Sequence, residues 1–187
     1  LFEAPNLTKR AALFKELTGH SIEVFISDCA DYDRLAEVVQ KTSPEIVVHY
    51  AEQPSAPYSM QNRHTADLTI FNNIGTTFNL IWAILEHAPD AHIIKLGTMG
   101  EYGTPNIDIE EGWLEVNHKG RQQKFLYPRQ AGSLYHTTKV LDTDLLWFYV
   151  RTYGLQVTDL MQGPVYGLST VESDLSQDLM PNFHYDD

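Results

Sequence analysis

The chain has 187 residues, enough for one domain of ordinary size, and its 43 % hydrophobic and 20 % charged residues are the composition of a folded rather than a disordered chain. Its 25 acidic residues against 13 basic ones give a net charge of −12, which disfavours nucleic acid and anionic membranes, because both need clustered Lys and Arg. Cys29 is the only cysteine, so an internal disulfide is excluded and a reducing compartment is expected.

Along the chain, strand-like and helix-like segments alternate. Ala11–Leu17 reads as the end of a helix stopped by Thr18, Gly19 and His20, and the β-branched and aromatic run Ile22–Ile26 predicts a strand. Tyr32–Gln40 has Leu35, Val38 and Val39 at helical spacing. Ile46, Val47 and Val48 follow as a second strand, whose unbroken apolar character predicts burial on both faces. A long helix is predicted from Thr65 to His87 with Leu68, Phe71, Phe78, Ile81 and Leu85 on its apolar side. Ile93–Leu96 is a third strand. Trp113–Tyr127, broken at Asn117–Gly120, predicts an exposed hairpin, Ser133–Tyr153 an amphipathic helix closed by Gly154, and Leu155–Met161 a fourth strand. The longest unbroken apolar runs, Leu80–Leu85 and Leu145–Val150, are too short to span a bilayer. The start carries neither Met nor a signal-like core and reads as the middle of a longer protein.

This alternation predicts an α/β fold, a Rossmann-like doubly wound, mostly parallel sheet over residues 1–168, with 169–187 beginning a substrate-binding region. In such sheets ligands bind at the carboxyl ends of the strands. The four predicted strands end in Asp28; in His49, Tyr50, Ala51, Glu52 and Gln53; in Gly97–Gly103; and in Gln162–Gly167. All four ends are polar, Gly-rich or both.

Tyr135 and Lys139 lie four apart, on one helix face. A phenol ionises near pH ~10 and is a poor base, but an adjacent ammonium favours the phenolate. With Thr98 at a strand end bonding the same substrate oxygen, the three can remove a hydroxyl proton while a hydride leaves for a nicotinamide.

Tyr135-His136-Thr137-Thr138-Lys139 resembles the Y-x-x-x-K motif of extended short-chain dehydrogenases. Lys95–Gly112, Glu52-Gln53 with Ser55–Met60, and the Gln162–Gly167 turn resemble the corresponding segments of the UDP-sulfoquinovose synthases. That resemblance implies tightly held NAD, with UDP-glucose and sulfite as substrates: oxidation at C4, loss of water across C5 and C6, sulfite addition at C6, and return of the hydride. It implies Tyr135 as base, Lys139 as tuner of its pKa and ribose ligand, and Thr98 as partner of the C4 oxygen. His136 and Glu101 are candidates to replace the Asp-Glu pair that 4,6-dehydratases carry where Met99 and Gly100 stand here. The cofactor would lie against Asp28, Cys29, His49, Ala51, Glu52, Asn73, Tyr135, Lys139, Gln162 and Val165. The sugar would lie against Gln53, Thr98, Met99, Gly100, Tyr135, Gln162 and Tyr166. No metal is expected.

Three departures from the resembled pattern stand out. The Gly-rich turn that carries the cofactor's pyrophosphate is absent, Pro54 stands where an Arg is expected, and Thr76 stands where Gly is usual. Alternatives remain a UDP-sugar 4-epimerase, a 4,6-dehydratase, or a non-catalytic dehydrogenase-like subunit of a larger assembly. The resemblance also implies a plastid stroma in a photosynthetic eukaryote and cytoplasm otherwise, and a homodimer built on paired helices.

Overall fold

The structure is a computed structural model that describes residues 7–110 and 113–163. It divides into two compact units, Leu1–Ile26 with Pro164–Asp187, and Ser27–Gly163. In the first, the described residues form α1 (Leu7–Thr18), stopped by Gly19 at φ 76°, and then an extended segment to Ile26. The strand expected over Ile22–Ile26 does not form, and no described ladder includes that run. β-branched residues favour strand geometry, but a strand exists only when a neighbour takes its N–H and C=O groups.

The second unit holds α2 (Tyr32–Thr42), β1 (Ile46–His49), the short α3 (Ala56–Ser59), α4 (Arg63–His87), β2 (His92–Thr98), a 3₁₀ turn (Met99–Tyr102), β3 (Trp113–His118), β4 (Arg121–Leu126), α5 (Leu134–Tyr153) and β5 (Gln156–Gln162). Strands β1, β2 and β5 form a parallel sheet in the order β1-β2-β5, with Thr98 opposite Gln162 in register. The fold is the α/β, Rossmann-like arrangement the alternation predicts. The boundary expected at 168/169 lies outside the described residues, as do Val165 and Tyr166.

Each helix start is written in the sequence. Asp31 caps α2, Ser55 caps α3, Asn62 and Thr65 form a reciprocal capping box at α4, and the Ser133 hydroxyl accepts from the His136 N–H at α5. The core joins Ala36 and Val39 of α2, Leu80, Ile81 and Ile84 of α4, Ile93 of β2, and Leu146 and Tyr149 of α5. The β3–β4 hairpin closes through Lys119 and Gly120, both at positive φ, which suits the right-handed twist of a tight hairpin. Trp113 at its base packs on Trp147 of α5, ring centroids 4.6 Å apart.

Two burial expectations are corrected. β1 is covered on one face only: Ile46 is 60 % exposed and Val48 49 %, since both point away from the core against which Val47 packs. Along α4, Leu68, Phe71 and Phe78 are exposed, and the buried face carries Thr65, Thr69, Asn73, Thr76 and Thr77 before it turns apolar at Leu80. Asn73 and Thr76 satisfy the backbone of the loop after β1, Thr77 meets the His49 ring, and Thr65 and Thr69 bond within the helix start, so chemistry outranks hydrophobic periodicity. By length and composition α4 is apolar enough to cross a membrane, but this polar face packs inside the domain, as in a core helix.

Ile84 is fully buried in the core. Ile84→Ala should destabilise the fold by about 2–5 kcal/mol in denaturant titration, whereas Phe71→Ala, at 74 % exposure, should cost less than about 1 kcal/mol.

Candidate active site

Thr98 closes β2 and caps the following 3₁₀ turn, its Oγ1 accepting from the Gly100 N–H at 3.1 Å. Its own hydrogen is left to donate to a ligand oxygen. Tyr135 and Lys139 sit on the first turns of α5, which is anchored at its start: the Tyr135 N–H donates to Ser59 Oγ of α3 at 3.1 Å. Lys139 reaches back to the sheet, where its ammonium donates to the Leu96 carbonyl at 2.7 Å and lies 2.7 Å from Glu52 Oε1. The same ammonium is 5.8 Å from the centre of the Tyr135 ring. Thr98 and the Tyr135–Lys139 pair are therefore joined through two residues of β2, at its carboxyl end.

Burial, and then the charges of Glu52, Asp142 and Glu101, push the Tyr135 phenol up to about 12. His136 packs beside that ring, centroids 5.0 Å apart, and its Nδ1 is 2.9 Å from Ser133 Oγ. Burial, and then the Lys139 charge, hold its imidazole below the usual range, so it is neutral at pH 7. A Cβ at Gly100 would stand 2.5 Å from His136 Nε2. The glycine is thus what leaves room for the imidazole there. Glu101 sits elsewhere. It is fully buried, with Lys95 and Arg129 nitrogens each 3.3 Å from its carboxylate, and it has no surface to offer a substrate.

The loop after β1 is fastened to α4. Asn73 accepts from the Gln53 N–H at 2.7 Å and donates to the Gln53 carbonyl and to Thr138, and Thr76 donates to the Ala51 carbonyl at 2.9 Å. The hydroxyl that replaces glycine at 76 is therefore a tie, not a gap. His49 is buried against Thr77 at 3.0 Å, and burial, with Lys139 and Lys95, lowers its pKa to about 4, so its 3.8 Å approach to Glu52 is no ion pair at neutral pH. Asn73 and His49 expose almost nothing: Asn73 is engaged by Gln53 and Thr138, and His49 Nε2 by Thr77. The Gln53 amide folds back on Ser55 at both ends, bracing the turn that contains Pro54. Asp28 Oδ1 accepts from the Ala30 N–H at 2.9 Å, and the half-buried Cys29 thiol is raised by burial and by Asp28, which makes it a weak nucleophile. Gln162 stands opposite Thr98 at the adjoining ends of β2 and β5, and Met99, one residue on, has its Sδ against Gly163.

Two important residues were missed in the sequence. Lys95 is fully buried and donates to the Lys139 carbonyl at 3.0 Å and to Thr143 at 2.8 Å, with Asp159 at 3.4 Å. A lysine inside an apolar strand was the available signal. Asp142 shares the face of α5 with Tyr135 and Lys139, seven and three residues back; it is fully buried, and only the Thr77 hydroxyl approaches it, without a well-aligned hydrogen bond. Burial, and then the Glu52 charge, push it up to about 8. A cavity of about 740 Å³ is lined by Met99, Trp113, Trp147, Asp159 and Met161 among others, and by none of Thr98, Tyr135 or Lys139.

An acid whose folded-state pKa is raised binds its proton more tightly when folded. Its stabilising contribution is therefore complete below pH ~4 and is lost as pH rises to about 8. Asp142→Asn should melt well above the parent at pH 9, with the difference closing toward pH 4, in thermal scans across pH. Gly100→Ala should displace the His136 ring and lower turnover at least tenfold while leaving the melting temperature within a few degrees.

A family model described as "NAD dependent epimerase/dehydratase family" matches residues 3–184. The chain is 44 % identical over 181 residues to "UDP-sulfoquinovose synthase, chloroplastic" of Spinacia oleracea, and 44 % identical over 187 residues to "UDP-sulfoquinovose synthase" of Sulfolobus acidocaldarius. These alignments cover 97 % and 100 % of the chain but 38 % and 47 % of the two relatives, so the chain spans less than half of either. Among solved structures, UDP-glucose 4-epimerase from Brucella ovis in complex with NAD matches at TM-score 0.62 and 23 % identity, over 76 % of this chain and 38 % of that one. UDP-glucose 4-epimerase from Bifidobacterium longum, in complex with NAD+ and UDP, matches at TM-score 0.65 and 18 % identity, over 85 % and 42 %. Since the family match runs through every element that carries the site, the chain belongs to the NAD-dependent epimerase/dehydratase family.

Proposed function

We propose that the protein forms UDP-sulfoquinovose from UDP-glucose and sulfite with bound NAD. The observation that carries this reading is the seating of His136 over Gly100 beside Tyr135, Lys139 and Thr98. A C4 oxidation needs the phenol, the ammonium and the hydroxyl; loss of water from C5 and C6 needs one further acid–base group, and a neutral imidazole supplies it. The 44 % identity to two proteins named UDP-sulfoquinovose synthase supports the same reading.

A dinucleotide would lie at the strand ends, where Thr98 and Gln162 stand opposite one another. Lys139 would hold its ribose, Gln162 would lie beside the nicotinamide, Asp28 would contact the adenine with Cys29 lining that pocket, and Ala51 would lie against the cofactor. The bound cofactor would supply a hydride acceptor and donor at sugar C4. The chain's own part is to take the C4 hydroxyl proton at Tyr135 Oη, to hold the C4 oxygen with the Thr98 hydroxyl, and to move a proton at C5 or C6 with His136. Met99, Gly100 and Gln162 would flank the sugar, and Val165 and Tyr166 lie outside the described residues. Pro54 supplies no donor for sulfite, so the anion must be held by other groups.

The exposed Leu68, Phe71 and Phe78 of α4 and Leu141 and Phe148 of α5 support a homodimer formed through these two helices. The compartment printed in the spinach relative's name supports a plastid location if the source is photosynthetic.

Incubation of the full-length protein with NAD, UDP-glucose and sulfite should yield a sulfonated UDP-sugar by mass spectrometry, and Tyr135→Phe should lower kcat by about 10²–10⁴. A 4-keto or 4-epimeric sugar without sulfonate would overturn the reading in favour of a dehydratase or epimerase. Absence of any turnover would favour a structural subunit.

A further inference from the structure

We propose that Glu52 is a positioning residue for the base: by holding the Lys139 ammonium against the Leu96 carbonyl, it governs whether Tyr135 keeps its proton. The inference rests on the reading of Tyr135 as the base and adds to it a residue that acts through Lys139. Glu52 Oε1 lies 2.7 Å from Lys139 Nζ, and the two side chains are 3 % and 5 % exposed. Neither Glu52 oxygen takes an aligned hydrogen bond, so the carboxylate is held by charge alone. An ammonium on the same helix face as a phenol is expected to draw off the phenolic proton, but here a carboxylate sits against that ammonium and offsets it.

The groups around the phenol leave Glu52 as the deciding charge. Lys139, His136 and Asp142 face it from α5, Glu52 from the loop after β1, and Glu101 from the 3₁₀ turn, with His49 of β1 and Lys95 of β2 behind them. Glu101 is matched by Lys95 and Arg129. Asp142, with a pKa of about 8, is mostly uncharged at pH 7, and His136 and His49 are neutral there. Of the negative charges that raise Tyr135, Glu52 is the one that also occupies its ammonium. A ligand whose hydroxyls take up the Lys139 ammonium would loosen this pair, so loading of the site and activation of the base are joined through one carboxylate.

The test is ultraviolet titration of tyrosinate in the ligand-free protein. The chain has 10 tyrosines, so the Tyr135 transition is isolated as the difference between the parent and Tyr135→Phe. Glu52→Gln removes the opposing charge and should lower that midpoint by about one pH unit or more, a tenfold or greater rise in the ionisation constant. The more conservative Glu52→Asp should lower it by a smaller step, and it carries the test if the Gln variant does not fold by circular dichroism. A midpoint unchanged or raised in the folded variant overturns the proposal. In the assayed enzyme the acid limb of kcat/KM should move to lower pH in the same order. An enzyme that makes no product but shows the predicted tyrosinate shift would sink the functional reading and leave this inference standing.

Discussion

A single buried ammonium decides where the chemistry of this protein is located. Lys139 leaves α5 and ends 2.7 Å from the Leu96 carbonyl of β2 and 2.7 Å from Glu52, so one side chain joins the helix that bears the phenol to the strand that bears Thr98. The tie is doubled from the other direction, since Lys95 of β2 donates to the backbone carbonyl of Lys139. Breaking either would leave a buried charge without its partners, which is far costlier than losing a surface pair. The register between β2 and α5 is thus set by charge, and the spacing of Thr98 from Tyr135 follows from it.

The second buried lysine carries a larger network. Around Lys95 lie Glu101, Thr143 and Asp159, and Arg129 adds its guanidinium to Glu101 and reaches Asp144 at 2.8 Å. This cluster stiffens the 3₁₀ turn directly after Thr98, where a displacement of an ångström would misplace the substrate oxygen. Glu101 belongs to that cluster, sealed among cations, whereas the His136 imidazole stands over Gly100 beside the Tyr135 ring.

The electrostatics of the site are those of a resting state. Three carboxylates raise the phenol, one of them is itself mostly protonated at neutral pH, and two imidazoles are neutral. A low-dielectric pocket with this balance responds strongly to a single added or removed charge.

The sequence by itself determined the α/β class, the hairpin that turns at Lys119-Gly120 and the placing of Tyr135 and Lys139 on one face of α5, because each depends on local spacing or local backbone chemistry, whereas the approach of Thr98 to that face depends on the buried tie between α5 and β2. Asp142 could have been placed by the same helical spacing, and Lys95 by its incongruity within an apolar strand. Only the tertiary structure decided which face of α4 is buried, that Ile22–Ile26 forms no described strand, and that His49, Asn73 and Glu101 are buried among hydrogen bonds and charges. Those outcomes depend on which partner each group meets across long sequence separations, as when Asn73 finds Thr138 and Lys95 finds Asp159. Periodicity reports which residues are apolar, whereas burial of a Thr, a Lys or a strand edge is settled by the hydrogen bonds and charges that the folded neighbours supply.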